Sequence, residues 1–476
     1  MPRILMVASE AAPFVKTGGL GDVLGALPPA LAKLGNDVAV VLPRYRGVAL
    51  PRARIWDGLL VNAGPNEFFA GVDEVVRQGV RYLFIDIPAL YDRAGIYYDS
   101  KADYPDNHVR FAALSQAALG VARYIFRPDI FHAHDWHAAL LPMYLRETFG
   151  GDPTFFGVRT VFTIHNLGYQ GNFPPSALAD LALDRALFRP GLLEFHGGLS
   201  FLQAGIAWAD ALTTVSPSYA REIQTPEFGF GMEGLLKSSA PKLTGILNGA
   251  DYSEWNPETD WRLAARYSAA DLSNKRECKM ALLREMGLRL DPDPPLAGVI
   301  SRMAYGQKGM ELVTKAMARL VRHGLRLVAL GSGDVALETE FRGLASAYPD
   351  QIAVRIGYDE TLAHRVEAGA DMFLMPSRYE PCGLNQIYSL RYGAVPVVRA
   401  VGGLVDTVDP DTGFLFHDYS ADALASAIGA AIEAYQDRGA WMNRMRLGMS
   451  KDFSWDASAL QYHRLYQNLL ERRPSP

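Results

Sequence analysis

Short apolar runs recur along the whole chain, and each is followed by a stretch with helical spacing. In the first half, Ile4–Ala8, Val38–Leu42, Tyr82–Ile87, Ile130–Ala133, Val158–Ile164 and Ala211–Val215 read as strands, each ending in a polar or glycine-containing segment. In the second half, Leu296–Ser301, Arg326–Gly331, Ile352–Ile356, Met372–Pro376 and Val395–Val398 do the same. Strand and helix in alternation predict βαβ units and parallel sheets, so both halves read as doubly wound α/β domains. A linker is expected near 245–257, where Thr244–Leu247 runs into the turn-forming pairs Asn248-Gly249 and Asn256-Pro257. Asp291–Pro295, dense in Pro and Asp, reads as a surface loop. Leu460, Leu465, Tyr466 and Leu469 have helical spacing and predict a terminal helix docked on another element.

The length of 476 residues exceeds what one ordinary core organises, so two domains are expected. The net charge of −5 gives no bulk attraction to nucleic acid or to an acidic membrane. An anionic substrate must therefore be held by local countercharges. The two cysteines, Cys278 and Cys382, exclude a disulfide framework and fit a reducing compartment. Ile4–Ala8 is too short for the apolar stretch of a secretion signal, and no apolar run approaches the ~18 residues of a membrane span. The expected location is the cytoplasm.

In open α/β sheets, ligands bind at the carboxyl ends of strands, and the chemically rich segments follow strands. Lys16-Thr17-Gly18-Gly19-Leu20-Gly21-Asp22 opens a helix expected from Asp22 to about Leu27, with Pro28-Pro29 bending or ending it. Its glycines and helix start suit an anion, although a plain strand-to-helix turn would use the same residues. His132-Ala133-His134-Asp135-Trp136-His137 invites a metal reading. Alternate side chains of an extended segment face opposite ways, which keeps these four groups apart. A sugar site is better served, with Asp135 accepting from hydroxyls and Trp136 offering a flat face. His165-Asn166-Leu167-Gly168 follows another strand, and no nucleophile elbow supplies His165 with a serine. Gly229–Gly234 matches a dinucleotide fingerprint by letter but lacks the preceding strand, so it reads as a mobile loop before a helix.

In the second half, Ser301-Arg302 and Lys308-Gly309 follow a strand, and both basic residues could reach one diphosphate. Glu380-Pro381-Cys382-Gly383-Leu384 precedes a helix expected to start near Asn385, with Glu380 placed to bind sugar hydroxyls. Cys382, between Pro381 and Gly383 and without an evident base, reads as a packed residue. Val401–Asp406 reads as one more glycine loop.

Together these segments resemble bacterial glycogen synthase and plant starch synthase, across essentially the whole chain. They comprise Lys16–Leu20, His132–His137, His165–Leu167, Ile246–Pro257, Arg302 with Lys308, Glu380–Leu384, Arg391–Val398 with Gly402–Leu404, and Asp452–Trp455. The resemblance implies a GT-B fold, two Rossmann-like domains facing a deep cleft. The domains would be 1–245 on the acceptor side and 246–455 on the nucleotide-sugar side, with 456–476 packing back on the first. It implies transfer of glucose from ADP-glucose to the non-reducing end of an α-1,4-glucan, glycogen or a maltooligosaccharide, with retention.

By the same resemblance, Lys16 with Gly18 and Gly19 closes on ADP-glucose, and Arg302 and Lys308 neutralise the leaving diphosphate. His165, Asn248 and Glu380 hold the transferred glucose, and Asp135 and Trp136, with Tyr97, lie near the acceptor. Tyr358 lies beside the adenine, and Cys382, Gly383 and Leu384 offer backbone N–H groups to phosphates. Arg302 and Lys308 stand six apart where the family usually has five, and Asn385 replaces a common threonine. Tyr388 stands where the wider GT-B class often has a second glutamate, an exception the narrower family shares.

A glycosidase-like route needs two carboxylates flanking the bond. Glu10, Asp22, Asp135 and Glu380 are available, and none is placed by sequence as a nucleophile. The resemblance implies front-face substitution instead, with domain closure excluding water and with no metal or other cofactor. Transfer from UDP-glucose, an inactive glucan-binding homologue and a metal-dependent hydrolase built on His132–His137 are the alternatives.

Overall fold

The computed structural model describes residues 1–48, 53–99 and 102–471. The chain divides into two compact units, Met1–Gly249 with the segment from Trp455, and Ala250–Ser454.

The first unit is organised by a sheet of strands β1 (Arg3–Val7), β2 (Asp37–Pro43), β3 (Arg54–Ala63), β4 (Asn66–Arg77), β5 (Val80–Asp86), β6 (Ile130–His134) and β7 (Arg159–Ile164), a small separate sheet of β8 (Asn172–Phe173), β9 (Glu194–Phe195) and β10 (Gly198–Ser200), and then β11 (Ala211–Thr214) and β12 (Leu243–Gly245). The large sheet runs β12-β11-β7-β6-β1-β2-β5-β4-β3. It is parallel from β12 to β5 and antiparallel at β5-β4-β3. Ile4, Leu5, Met6 and Val7 are fully buried, as a central parallel strand with both faces covered requires. The β3–β4 hairpin is absent from the sequence reading because its pattern is interrupted. In β3 only Leu59, Val61 and Ala63 are buried, and Arg54 spends its guanidinium on Asp57, Asp73 and Asp86.

The second unit carries a parallel sheet of β13 (Leu296–Ile300), β14 (Arg326–Gly331), β15 (Ile352–Ile356), β16 (Met372–Met375), β17 (Val395–Arg399) and β18 (Phe414–Phe416), in the order β15-β14-β13-β16-β17-β18. Strand order reverses between β13 and β16, which pair through Ala297 and Met372. In the first unit it reverses between β1 and β6, paired from Ile4–Ile130 to Val7–Ala133. These reversals are where open α/β sheets leave a crevice for ligands.

Several expectations are corrected. The helix expected from Asp22 to about Leu27 spans Gly19–Lys33, with both prolines inside it. Its apolar stripe continues through Leu27, Ala30 and Leu31, and burying that stripe outweighs the hydrogen bonds the prolines cannot donate. The units divide after Gly249 rather than 245, because β12 pairs with β11 and Ile246 packs into the first core. Val401–Asp406 is not an open loop, since Gly402–Thr407 is a short helix. The terminal helix, Trp455–Glu471, belongs to the first unit and buries Trp455, Ala459, Tyr462, Tyr466 and Leu469. Leu460 faces outward, and residues 472–476 lie outside the described residues. Among the described residues, no helix is long and apolar enough to cross a membrane.

Candidate functional site

Each unit gathers polar side chains at its own strand-order reversal. In the first unit they come from the segments after β1, β6 and β7. Glu10, just past β1, is the hub: Oε2 accepts from the backbone N–H of Thr17 at 2.5 Å and Gly18 at 3.2 Å, and Oε1 accepts from the Thr17 hydroxyl at 2.7 Å. The Tyr97 hydroxyl also donates to Glu10 and lies 2.7 Å from Ser9 Oγ. This carboxylate fixes the start of the Lys16–Gly19 loop. Lys16 is exposed and pairs with Asp22 at 2.6 Å. A Cβ built on Gly18 or Gly19 would meet nothing. Internal packing therefore does not demand glycine at either position, and the bare backbone stays open to a ligand.

Asp135 and His165 are brought together. Asp135 holds a left-handed backbone, φ 54°, and its Oδ1 accepts from the His165 N–H at 2.7 Å. Burial pushes its carboxyl up to about 7, against the lowering effect of the backbone N–H groups of His165 and Asn166. Burial alone pushes His165 down to about 3, so its imidazole is neutral. His165 Nε2 lies 3.0 Å from His134 Nδ1. His132 is engaged on both sides, by the Tyr466 hydroxyl at 2.8 Å and by Thr163 Oγ1 at 2.6 Å, and burial pushes it down to about 3. Both His132 nitrogens are thereby occupied within the protein. His137 stacks on Tyr97 and lies tilted against Trp136. Trp136 has Gly171 against its ring, where a Cβ would come within 2.6 Å. Asn248 is buried in this unit, its Oδ1 without a hydrogen-bond partner.

In the second unit, Ser301, Arg302 and Lys308 from the β13 side meet Ser377, Glu380, Gly383, Leu384 and Asn385 from the β16 side around one pocket. Lys308 Nζ donates to both oxygens of Glu380, at 2.9 and 2.7 Å, and Ser377 Oγ donates at 2.9 Å. Arg302 donates to Gln307 at 2.5 Å. The six-residue spacing is absorbed by left-handed turns at Gly306 and Gly309. A Cβ on Gly309 would lie 2.1 Å from the Pro376 carbonyl, so only glycine lets this loop reach β16. Asn385 opens the helix Asn385–Arg391 and ties it to β13 through the Ile300 carbonyl at 2.8 Å. Cys382 is buried. Gly403 must be small, because a Cβ there would stand 2.2 Å from the Cys382 carbonyl. Tyr358 is 82% exposed and its hydroxyl lies 3.2 Å from Glu360.

Of the expected site residues, His165, Asp135, Lys16, Gly18, Gly19 and Asn248 belong to the first unit. Glu380, Arg302, Lys308, Cys382, Gly383, Leu384 and Tyr358 belong to the second. Glu10 and Ser377 were not assigned from sequence. Each stands just past a strand that the apolar pattern identified, and that position was the available signal.

Residues 3–238 match the family described as starch synthase catalytic domain, and residues 287–447 match glycosyl transferases group 1. The chain is 47% identical to a glycogen synthase of Koribacter versatilis, covering all of both chains. It is 51% identical to one of Anaeromyxobacter sp., covering 98% of this chain and 99% of that one. The catalytic domain of starch synthase IV from Arabidopsis thaliana, solved bound to ADP and acarbose, superposes with a TM-score of 0.89 at 32% identity, over 99% of this chain and 100% of the other. Sucrose-phosphate synthase from Thermosynechococcus elongatus shares the fold, with a TM-score of 0.62 at 19% identity. With a GT-B fold of two α/β units and relatives this similar over their full length, the chain belongs to the glycogen synthase family of glucosyltransferases.

Proposed function

We propose that this chain moves glucose from ADP-glucose to the non-reducing end of an α-1,4-glucan, with retention, in cytoplasmic glycogen synthesis. The observation that carries this reading is the pocket at the β13–β16 reversal, where Arg302 and Lys308 stand beside a carboxylate in a chain of net charge −5. Lys308 and Arg302 neutralise the diphosphate as the bond from glucose C1 to phosphate oxygen breaks, and the N–H groups of Cys382, Gly383 and Leu384 donate to the phosphates. Glu380, released by Lys308, accepts from glucose hydroxyls. The acceptor O4 attacks C1 from the face the diphosphate leaves, and its proton passes to the departing phosphate oxygen. His165, neutral and buried, donates to or accepts from the transferred sugar, with Asn248. Asp135, with Trp136 and Tyr97, orients the acceptor. Lys16 and the bare Gly18-Gly19 backbone complete the donor contacts, and Tyr358 lies on the base. Catalysis is then positioning and electrostatic stabilisation by fixed charges, and no step requires a metal.

The test is transfer to glycogen from ADP-glucose and UDP-glucose side by side, with a chelator present. Strong chelator-resistant transfer from ADP-glucose is expected. Preference for UDP-glucose would overturn the donor assignment, and glucan binding without transfer from either donor would overturn the enzyme reading.

A further inference from the structure

The second unit carries another cluster, apart from the residues assigned above to sugar and phosphate. His364, on the helix Glu360–Gly369, is fully buried. Its Nδ1 lies 2.7 Å from Asp260 Oδ2 and 3.2 Å from the Tyr392 hydroxyl, which itself donates to the same Asp260 oxygen at 2.7 Å. A carboxylate only accepts, so Nδ1 carries the proton and Nε2 presents a lone pair. Nε2 is buried and has no hydrogen-bond partner. Trp255 stacks on the ring with centroids 3.7 Å apart, which holds the imidazole in place.

Two carboxylates stand at this histidine. Glu360 lies one helical turn before it, on the same face, and Glu254 directly precedes Trp255. One oxygen from each and one ring nitrogen of His364 lie within 4.8 Å of one another. Because Nδ1 is engaged, Nε2 is the nitrogen on offer. The local charge is unbalanced. Arg262 reaches Glu254 at 3.0 Å, Glu360 at 3.5 Å and Asp260 at 3.9 Å, one guanidinium against three carboxylates. The neighbouring Arg365 pairs with Glu285. Glu360 also accepts from the Tyr358 hydroxyl at 3.2 Å. A buried lone pair without a donor and an excess of carboxylates over cations point to the same missing group, a small divalent cation.

We propose that His364 Nε2, Glu254 and Glu360 bind a first-row divalent cation, with zinc the best fit to one imidazole and two carboxylates. Asp260 acts as the outer carboxylate that fixes the histidine's tautomer and orientation, as histidine ligands require. Metal–ligand bonds of about 2.0–2.2 Å draw the ligand atoms closer together. The glutamate side chains, 41% and 46% exposed, can make that movement. Arg262 must release them, which makes it the competing cation. The bound ion ties the Glu254–Trp255 segment to the helix Glu360–Gly369.

The test uses the full chain stripped with a chelator and titrated with zinc by calorimetry, with cobalt quenching of tryptophan fluorescence as the second readout. One zinc per chain is expected. Glu254→Gln and Glu360→Gln should each weaken binding at least about tenfold, and Arg262→Gln should tighten it. Cobalt should quench the wild type, through Trp255, and spare the double glutamine variant. Both glutamates are exposed, so these variants fold, and unchanged thermal melting in chelator verifies it. Failure of the wild type to bind zinc, or equal binding and quenching in the double variant, overturns the proposal.

Discussion

The two units meet the same demand, polar groups at a strand-order reversal, in opposite ways. In the first unit the groups around His165 are buried and held toward their uncharged forms: burial pushes His132 and His165 down to about 3 and the Asp135 carboxyl up to about 7. In the second unit the groups stay ionic, with Lys308 on both Glu380 oxygens and Arg302 exposed beside them. A neutral site suits a sugar, whose hydroxyls both donate and accept. An ionic site suits a diphosphate, whose charge grows as it leaves. The sharpest break of this contrast is Lys308→Met. It should lower kcat about 10²–10³-fold, the usual cost of one fixed donor on a developing anion, with little change in acceptor KM. A comparable loss in acceptor KM with kcat intact would mean that Lys308 serves the sugar.

The counterpart in the first unit is Asp135→Asn. If the carboxyl works mainly in its neutral form, the amide is a close replacement, and kcat near pH 6 should fall about tenfold at most. That is the range for one neutral hydrogen bond, about 0.5–1.5 kcal/mol. The deficit should shrink above pH 7, where the wild-type carboxyl ionises and loses the neutral form that the amide keeps. A pH-independent loss as large as that of Lys308→Met would make Asp135 a working anion and erase the contrast.

Stability against pH separates the units with opposite signs. His132 and His165 bind fewer protons folded than unfolded between about pH 3 and 6.5. Their contribution is therefore present above pH 6.5 and is lost as pH falls toward 3. His134 and His137 are shifted the same way by burial. Asp135, held up to about 7, opposes them, losing stability as pH rises from 4 to 7, but it is one group against four. In the second unit burial raises the Glu367 carboxyl well above its ordinary value, so its contribution is full in acid and declines as pH rises past 4.5. Hydrogen exchange at pH 4.5 against pH 7 should show the core strands β1, β6 and β7 losing more protection in acid than β13 and β16. Equal loss in both sheets would mean that the histidines are solvated.

Much of this was legible in the sequence, because central parallel strands are buried on both faces and leave continuous apolar runs. Ile4–Ala8 and Met372–Pro376 were found within one residue of β1 and β16. The half-exposed hairpin β3–β4 left no such run, since its paired charges Arg54, Asp73 and Glu74 break the alternation. Pro28 and Pro29 misled because local propensity says nothing of the stripe Leu24–Leu31 that keeps the helix intact. Motif spacing indicated that Glu380 and Lys308 matter, but their pairing depends on left-handed turns at Gly306 and Gly309, which spacing does not specify. Glu10 was visible as a carboxylate after a strand. Its bonds to Thr17 and Gly18 are local, 7 and 8 residues away, but the Tyr97 hydroxyl reaches it only when chain segments 87 residues apart meet.

The smallest expected effect tests whether the neutral cluster of the first unit is one connected system. Tyr466, on the terminal helix, sits against His132 Nδ1. His132 lies against His134, ring centroids 4.0 Å apart, and His134 bonds His165. On the other side His132 Nε2 meets Thr163, which bonds Thr213 at 2.5 Å. Tyr466→Phe keeps the ring and its packing and removes only the hydroxyl, leaving Nδ1 buried and unsatisfied. That costs about 1–3 kcal/mol and should lower Tm by a few degrees. If the chain of rings only fixes position, kcat should change less than twofold, because His134 and His165 keep their own bond. A Tm left at the wild-type value with kcat reduced tenfold would show the opposite: the terminal helix sets the tautomer of His132, and through it the hydrogen-bonding sense of His165.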